Sequence, residues 1–357
     1  MVDEPAVEVI ARLTPEILRA LHVLEFASRH LAPATLDRLI ATVAERKSDL
    51  DGALEDSKAL AWPERLLPAR DCLETAATLA RDSIAALLAA GEEEQPILAA
   101  YRALRGYARA AEAIYPMAPH LKPVSRFFLE AARRDDEALI EQLADPRPDT
   151  GVTHVGGPAG TRGGFSLYAP ENYDPSRAYP LVVAMHGGSG NGGAFLWSWL
   201  REARTRGFLL MAPTARGSTW SMLEPQVDGP NIDNMVADVA AKWSIDDSRK
   251  LLTGMSDGGT FTYVLGLHGD CQFTHLAPVS AAFHPMLLGM GDADRIRDLP
   301  IYIVHGHEDW MFPPELARNA ERALRKAGAN VTYREVADLS HTYPRDENGG
   351  MLDWFLK

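Results

Sequence analysis

Glycine is distributed very unevenly along this chain of 357 residues. Only three of its 28 glycines precede residue 151, and the other 25 lie within residues 151–357. Glycine inside a helix is destabilising by roughly 0.5–1 kcal/mol relative to alanine, whereas tight turns often require it. The distribution therefore predicts a helical domain over residues 1–147, followed by a domain rich in strands and turns over residues 148–357. The segment 145–151, Asp-Pro-Arg-Pro-Asp-Thr-Gly, has the composition of a linker.

The first 150 residues carry hydrophobic residues at the three- and four-residue spacing of helices that bury one face. The spacing in the first segment is set by Val7, Ile10, Leu13, Ile17, Leu18, Leu21 and Leu24. Similar stripes predict five antiparallel helices, over residues 5–29, 34–57, 64–90, 96–115 and 124–144. We expect this domain to serve packing and the formation of a homo-oligomer. The alternative is a lid over a site in the second domain.

Composition and charge exclude several kinds of partner. Hydrophobic residues make up 46% of the chain and charged residues 24%, the usual balance of a folded globular protein. The 36 basic and 49 acidic residues give a formal charge of −13, which repels nucleic-acid backbones and anionic membrane surfaces. Asp3, Glu4 and Glu8 stand where a signal peptide needs basic residues. We expect a cytoplasmic protein with no nucleic-acid and no membrane partner.

Short apolar runs alternate with helical stretches in the second half. Two shorter pieces within residues 151–169, separated by glycine pairs, predict an antiparallel hairpin at a sheet edge. The later runs are continuous, which indicates an α/β fold with a mostly parallel sheet covered by helices on both faces. Ligand sites in such sheets lie beyond the carboxyl ends of the strands. The predicted strands are residues 181–185, 208–212, 250–253, 275–279, 301–304 and 331–336.

A G-x-S-x-G sequence follows one of these strands directly. Residues 254–259 read Gly-Met-Ser-Asp-Gly-Gly and lead into a helical stretch over residues 260–268. A nucleophile elbow requires a strand, a sharp turn and a helix, with small residues on either side of the serine. Because all three parts are present, Ser256 is the candidate nucleophile. The alternative is a glycine-rich turn in which the serine only caps the helix.

A serine hydroxyl becomes nucleophilic when a histidine, oriented by a carboxylate, removes its proton. In folds with this elbow the chain order is serine, acid, histidine. The strand over residues 301–304 runs into His-Gly-His-Glu-Asp, which makes Asp309 the candidate acid and Glu308 the reserve. His341 is the only histidine that follows, so it is the candidate base.

Acyl transfer also requires N–H donors aimed at the developing oxyanion. The amide of Asp257, next to the nucleophile, is one candidate. The loop after residues 181–185 reads His-Gly-Gly-Ser-Gly-Asn-Gly-Gly, and Gly188 is the second candidate, with Ser189 in reserve. A phosphate-binding loop is the competing interpretation, but the lysine of the G-x-x-x-x-G-K-[ST] motif is absent from this sequence.

No metal site and no cofactor are predicted. Cys72 and Cys271 are about 200 positions apart and form neither a disulfide framework nor a zinc-ligand cluster. His305 and His307 lie close to Asp309, but a metal site would require further ligands to converge on them. An ordinary packing or loop role is the expectation for both histidines.

These motifs, together with the sequence Tyr-Ala-Pro-Glu-Asn-Tyr-Asp-Pro-Ser-Arg-Ala-Tyr-Pro-Leu-Val-Val-Ala-Met-His-Gly-Gly over residues 168–188, resemble the α/β-hydrolase serine esterases. The most similar branch contains carboxylesterases, feruloyl esterases and polyhydroxyalkanoate depolymerases. The resemblance covers about residues 150–357 and implies an α/β-hydrolase fold. It also implies a catalytic triad of Ser256, Asp309 and His341, with an oxyanion hole at Gly188 and Asp257.

The sequence therefore predicts a serine carboxylesterase that hydrolyses small apolar or aryl esters through an acyl-enzyme. Trp220 and Trp310, in loops at the same sheet edge, are expected to line the substrate pocket. Activity should fall on acidification as His341 becomes protonated. Three alternatives stay open: a peptidase, an acyl-thioesterase, or a non-catalytic hydrolase-like scaffold whose helical domain binds a partner protein.

Two features depart from that branch of esterases. Its depolymerases and feruloyl esterases are usually secreted, whereas no signal peptide is recognised here, which argues against polymer substrates. Position 257 is a carboxylate instead of the more usual apolar or amide residue. Its charge beside the nucleophile predicts poor acceptance of anionic acyl groups.

Overall fold

The computed structural model describes residues 4–46 and 48–357. The chain divides into two compact units, Met1–Asp145 and Pro146–Lys357, here called unit 1 and unit 2. Across the described ranges, none of the helices combines the length and the apolar character that crossing a membrane would require.

Unit 1 is helical, as predicted, but its helices are more numerous than the sequence indicated. Two long predicted helices are present, whereas each of the other three is divided in two. The expectation of five helices is therefore wrong. The described part of unit 1 contains α1 (Glu4–Arg29), α2 (Leu36–Ala44), α3 (Leu50–Ala59), α4 (Leu67–Ala89), α5 (Pro96–Leu104), α6 (Gly106–Ile114), α7 (Lys122–Phe127) and α8 (Glu137–Gln142).

Polar side chains mark the start of two of the extra helices. The carboxylate of Glu16, on α1, accepts hydrogen bonds from Ser48 Oγ at 2.9 Å and from the amide of Asp49 at 3.1 Å, just before α3. Asp136 caps α8, since its carboxylate accepts from the amide of Leu139 at 3.0 Å. Such side-chain bonds compete with helical ones, so hydrophobic spacing alone did not predict these boundaries.

The core of unit 1 contains the apolar stripe predicted on α1. Leu13, Ile17, Leu21 and Leu24 on this helix are completely buried. α4 contacts α1 and buries small residues, among them Ala76, Ala77 and Ala80. Leucine side chains of α1 and small side chains of α4 therefore both contribute to the core of unit 1.

Unit 2 contains one sheet of eight strands in the order β1-β2-β4-β3-β5-β6-β7-β8. β1 pairs antiparallel with β2, β2 pairs antiparallel with β4, and the other five pairs are parallel. The edge hairpin and the mostly parallel sheet are thus confirmed. The strands are β1 (Gly151–Val155), β2 (Phe165–Ala169), β3 (Tyr179–Met185), β4 (Leu209–Pro213), β5 (Ile245–Met255), β6 (His275–Val279), β7 (Pro300–Gly306) and β8 (Asn330–Val336).

The position of β3 explains its continuous apolar sequence. This strand lies between β4 and β5, and all seven of its residues are buried. The connection from β3 to β4 crosses the sheet in one direction and the later connections in the other, so right-handed crossovers place helices on both faces. These helices are α9 (Gly192–Phe195), α10 (Leu200–Arg206), α11 (Gly229–Lys242), α12 (Asp257–Gly266), α13 (Met286–Met290), α14 (Ala293–Ile296), α15 (Pro314–Lys326) and α16 (Asn348–Phe355).

The same topology collects the residues singled out in the sequence. Gly188, Ser256, Asp309 and His341 follow β3, β5, β7 and β8, respectively. These four strands are parallel, and the carboxyl ends of parallel strands meet at one edge of a sheet. Residues separated by more than 150 positions are thereby brought to a common edge.

Candidate active site

Ser256 occupies a strained turn between β5 and α12. Its φ of 56° and ψ of −117° lie in a region that costs a residue with a side chain about 1–3 kcal/mol. A Cβ added to Gly254 would lie 2.4 Å from the carbonyl carbon of Gly258, and one added to Gly258 would lie 2.4 Å from the carbonyl oxygen of Met185. Only glycine fits at either position, which explains the two glycines of the G-x-S-x-G sequence.

His341 contacts Ser256 and Asp309 through its two ring nitrogens. Nε2 lies 3.0 Å from Ser256 Oγ, and Nδ1 lies 2.8 Å from Oδ2 and 3.0 Å from Oδ1 of Asp309. All three side chains are buried. An ionised carboxylate only accepts hydrogen bonds, so Nδ1 carries the proton and Nε2 offers a lone pair to the serine hydroxyl. A general base for Ser256 requires this tautomer.

The carboxylate of Asp309 is stabilised in its ionised form. Besides His341, its Oδ1 accepts from the amides of Met311 at 3.0 Å and Phe312 at 2.8 Å. Burial raises the pKa of Asp309, but the hydrogen bond and charge of His341, together with the Phe312 amide, outweigh burial and hold this pKa below its usual range. Glu308, the reserve acid, is exposed. The structure places Asp309 beside the histidine.

The loop after β3 passes directly beside the serine turn. A Cβ added to Gly187 would lie 3.5 Å from the Cβ of Ser256. The amide of Ser189 donates to a carbonyl of the loop after β4 at 2.9 Å and is not available to a ligand. Within residues 4–46 and 48–357, the amides of Gly188 and Asp257 donate to no protein acceptor. These two N–H groups can therefore bind an oxygen atom of a ligand.

The side chain of Asp257 places a negative charge beside Gly188. Its Oδ2 accepts a hydrogen bond from Thr219 Oγ1, and a Cβ added to Gly188 would lie 2.7 Å from that oxygen. Asp257 is partly exposed, so a bound molecule can approach its carboxylate. Thr219 was not predicted from the sequence, because no motif includes it and only folding brings the loop after β4 to the serine turn.

The buried side chain of His186 supports the loop after β3. Its Nδ1 donates to the carbonyl of Gly187 at 2.7 Å, and its Nε2 accepts from the amide of Ala215 at 3.1 Å. The bond from Ala215 requires the neutral ring, because a protonated Nε2 could not accept it. Burial lowers the pKa of His186 to about 4, so the ring is neutral at pH 7. This histidine precedes the glycines in the sequence, and that position is the signal by which its role could have been predicted.

The two tryptophans predicted to line the pocket differ in their environment. Trp220 is 3% exposed and belongs to the core of unit 2, where its ring stacks on Phe261. Its Nε1–H donates to the carbonyl of His186 at 2.7 Å. Trp310, next to Asp309, is 43% exposed. Trp220 therefore stabilises the loop after β3 through its hydrogen bond and does not line an open surface. Trp310 is exposed, so a ligand can reach it.

The two histidines that precede Asp309 are directed to different surroundings. His307 is exposed, and its Nδ1 lies 2.8 Å from a carboxylate oxygen of Glu335. His305 is completely buried. Across the described ranges of the chain, no group of three or more His, Cys, Asp or Glu side chains is arranged to hold a metal ion.

Comparison with known proteins identifies the fold family. Residues 229–354 match the phospholipase/carboxylesterase family model, and this segment contains Ser256, Asp309 and His341. The sheet topology and this match give unit 2 an α/β-hydrolase fold. The resemblance to esterases that the sequence predicted is confirmed by curated relatives of this chain.

Two curated relatives are esterases. The chain is 28% identical over 189 residues to the bifunctional acetylxylan esterase/xylanase XynS20E of Neocallimastix patriciarum, covering 51% of this chain and 26% of that protein. It is 27% identical over 176 residues to a probable feruloyl esterase C of Aspergillus clavatus, covering 47% and 60% of the two chains. The chain thus spans less than two thirds of the length of either relative. Among solved structures, a thermostable esterase aligns with a TM-score of 0.45 and 22% identity over 60% of this chain and 63% of that chain.

Proposed function

We propose that this α/β-hydrolase is a serine carboxylesterase that hydrolyses small apolar or aryl esters through an acyl-enzyme at Ser256. The observation that carries the proposal is the hydrogen-bonded series from Ser256 Oγ through His341 to Asp309, with contacts of 3.0 and 2.8 Å. The relatives named as acetylxylan and feruloyl esterases support an ester as the substrate.

In the first half of the reaction, Nε2 of His341 takes the proton of Ser256 as Oγ bonds to the ester carbonyl carbon. The electron pair of the carbonyl moves to its oxygen, which accepts hydrogen bonds from the amides of Gly188 and Asp257. Loss of one such donor typically costs about 2.7–4 kcal/mol of barrier. The carbon–oxygen bond to the alcohol then breaks, and the alcohol leaves with the proton held by His341.

In the second half, water hydrolyses the acyl-enzyme. Nε2 of His341 takes a proton from water as the water oxygen bonds to the acyl carbon. The tetrahedral intermediate releases the carboxylic acid, and the proton returns to Ser256 Oγ. Throughout, Asp309 accepts the hydrogen bond from Nδ1 and stabilises the imidazolium without itself becoming protonated.

Exposed apolar side chains beside the acid support an apolar or aryl substrate group. Trp310 and Met311 are 43% and 42% exposed, although large apolar side chains are usually buried. Both directly follow Asp309 in the chain. Trp310 is the side chain that we assign to substrate contact, and Trp220 supports the loop after β3 from the core.

Substitution of the nucleophile tests the proposal. In the full chain, Ser256→Ala should lower kcat for p-nitrophenyl acetate by about 10⁴-fold or more and abolish labelling by a fluorophosphonate probe. Ser280→Ala is the matched control, because Ser280 is also buried, has a φ of 44° and directly follows the neighbouring strand β6. Retention of hydrolysis by Ser256→Ala, with the fold intact by circular dichroism, would exclude this mechanism.

The choice of an ester over related substrates is tested with a matched panel. An oxygen ester, a thioester and an anilide with the same acyl group should be hydrolysed in that order of preference. Faster turnover of the thioester or the anilide would reassign the enzyme to the acyl-thioesterases or the peptidases, respectively.

The role of the helical unit and the location of the protein stay predictions. The homo-oligomer expected through the helical unit is tested by the molar mass of the full chain in light scattering. The cytoplasmic location is tested by imaging a tagged full-length chain.

A further inference from the structure

His305 is a buried histidine that the proposed mechanism does not use. It lies near the end of β7, four residues before Asp309, and its side chain is completely buried. Its Nε2 lies 2.8 Å from the carbonyl oxygen of Phe312. A carbonyl only accepts hydrogen bonds, so Nε2 carries the proton and Nδ1 does not. Within the described ranges, Nδ1 has no hydrogen-bond partner.

The carbonyl that His305 binds belongs to a residue with two other contacts in the site. The amide of Phe312 donates to Oδ1 of Asp309 at 2.8 Å. The ring of Phe312 packs edge-on against the ring of His341, with 5.1 Å between centroids. A displacement of Phe312 would therefore disturb both the acid and the base.

His305 also lies directly beside the acid without taking the place of His341. Its Nε2 is 3.6 Å from Oδ2 of Asp309, too far for a good hydrogen bond. Burial lowers the pKa of His305, against the opposing effects of the Phe312 carbonyl and of the charges of Asp309 and Glu335. The ring is therefore neutral at pH 7, and Asp309 keeps its hydrogen bond with His341.

We propose that His305 is a positioning residue, whose Nε2–H fixes the turn over residues 309–312 and thereby the hydrogen bond between Asp309 and His341. The inference rests on the proposed function, because it assigns the role within the same three-residue machinery. It goes beyond that function by making the alignment of acid and base depend on a second imidazole. The opposing explanation is that His305 only fills space in the core.

Two substitutions separate these explanations. His305→Leu introduces an apolar side chain of similar size and removes the N–H donor, whereas His305→Gln retains a side-chain N–H. His275→Leu is the matched control, because His275 is a partly buried histidine at the opposite end of the neighbouring strand β6, where its ring packs on Trp354 and Phe355. All variants are made in the full chain.

His305→Leu should lower kcat for p-nitrophenyl acetate by about 10- to 100-fold with little change in KM, because misplacement of catalytic groups by about 1 Å can cost about 100-fold. The acid limb of its kcat–pH profile should move to lower pH, since the imidazolium of His341 loses part of its pairing with Asp309. His305→Gln should restore most of both values. His275→Leu should change neither.

A measurement without substrate keeps this test separate from the proposed function. The proton on Nδ1 of His341 should give a downfield proton NMR signal, assigned by its loss in His341→Gln. The signal should shift or broaden in His305→Leu, return in His305→Gln and persist in His275→Leu. An unchanged signal in His305→Leu, or equal effects of the two leucine variants, would overturn the positioning role. A wild-type enzyme inactive on every ester would overturn the proposed function and leave the NMR result to decide on His305.

Discussion

Polar groups are distributed differently in the two units. In unit 1 the ion pair between Lys122 and Glu137, at 2.8 Å, is exposed, whereas in unit 2 the pair between Arg204 and Glu171, also at 2.8 Å, is buried. Among the described residues, every buried carboxylate, imidazole and guanidinium belongs to unit 2. They are Glu171, His186, Glu202, Arg204, Asp228, His305, Asp309 and His341.

This difference shows which unit contains groups whose burial reduces the free energy of unfolding. Burying an ionisable group is unfavourable unless hydrogen bonds or an opposite charge compensate for the lost water. Unit 1 avoids this cost with a core of leucine and alanine. Unit 2 buries such groups at several places, among them the carboxyl edge of its sheet, where His186 and Asp309 form hydrogen bonds with neighbouring loops. If buried ionisable groups serve catalysis, substitutions of these groups in unit 2 should lower kcat, whereas substitutions in unit 1 should change only stability.

The largest effect is expected at the buried acid. Asp309→Asn should lower kcat by about 10⁴-fold, because an amide can no longer enforce the His341 tautomer that leaves Nε2 unprotonated. Steady-state hydrolysis of p-nitrophenyl acetate measures this. Glu308→Gln is the control, since it removes an adjacent but exposed carboxylate, and its kcat should stay within about twofold of wild type. Similar decreases of kcat in the two variants would show that the buried carboxylate has no special role.

The stability of unit 2 should decrease on acidification. His186 has a pKa of about 4 in the folded protein, below its value of about 6.5 in the unfolded chain. Because the unfolded state binds the proton more tightly, the contribution of the neutral ring is complete above about pH 6.5 and is lost as the pH falls toward 4. The total loss is about 3 kcal/mol.

Urea unfolding at pH 7 and pH 4.5 measures this loss. Tryptophan fluorescence reports mainly on unit 2, because six of the seven tryptophans lie after residue 146. His186→Gln should reduce the pH dependence, whereas the exposed His22→Gln in unit 1 should not. A wild-type pH dependence in His186→Gln would remove His186 as its source.

A smaller effect is expected at Asp257. Asp257→Asn keeps the backbone amide but removes the negative charge, so an ester with an anionic acyl group should gain about fivefold in kcat/KM relative to a neutral ester of the same length. The neutral ester is the internal control for general damage. A ratio equal to that of wild type would show that this carboxylate does not influence the choice of acyl group.

The smallest effect is expected in unit 1. Glu16→Ala removes the acceptor for Ser48 and for the amide of Asp49, and should lower the stability of unit 1 by about 1 kcal/mol. The helical circular dichroism signal during urea unfolding measures this. Glu8→Ala, an exposed residue on the same helix, is the control. Loss of kcat in Glu16→Ala would contradict the view of unit 1 as scaffold and favour a lid.

Motifs predicted the elements around Ser256 more accurately than periodicity predicted the helices of unit 1. The strand, turn and helix around Ser256 could be predicted because glycine is needed where Gly254 and Gly258 approach other backbone atoms. Hydrophobic spacing predicted α1 correctly but joined α2 to α3, because the bonds from Glu16 that hold the chain before α3 cross between helices. Contacts of that kind have no local signature.

The order of motifs along the chain by itself determined the α/β class, the sheet edge that holds the site and the candidates Ser256, Asp309 and His341. Strand patterns and turn glycines depend on residues close together in the sequence, so they can be recognised before the tertiary structure is known. Only the tertiary structure decided that Trp220 is buried while Trp310 is exposed, that Thr219 binds Asp257, and that His305 holds Phe312. The physical reason is that side chains from loops far apart in sequence acquire partners only when the sheet brings those loops together.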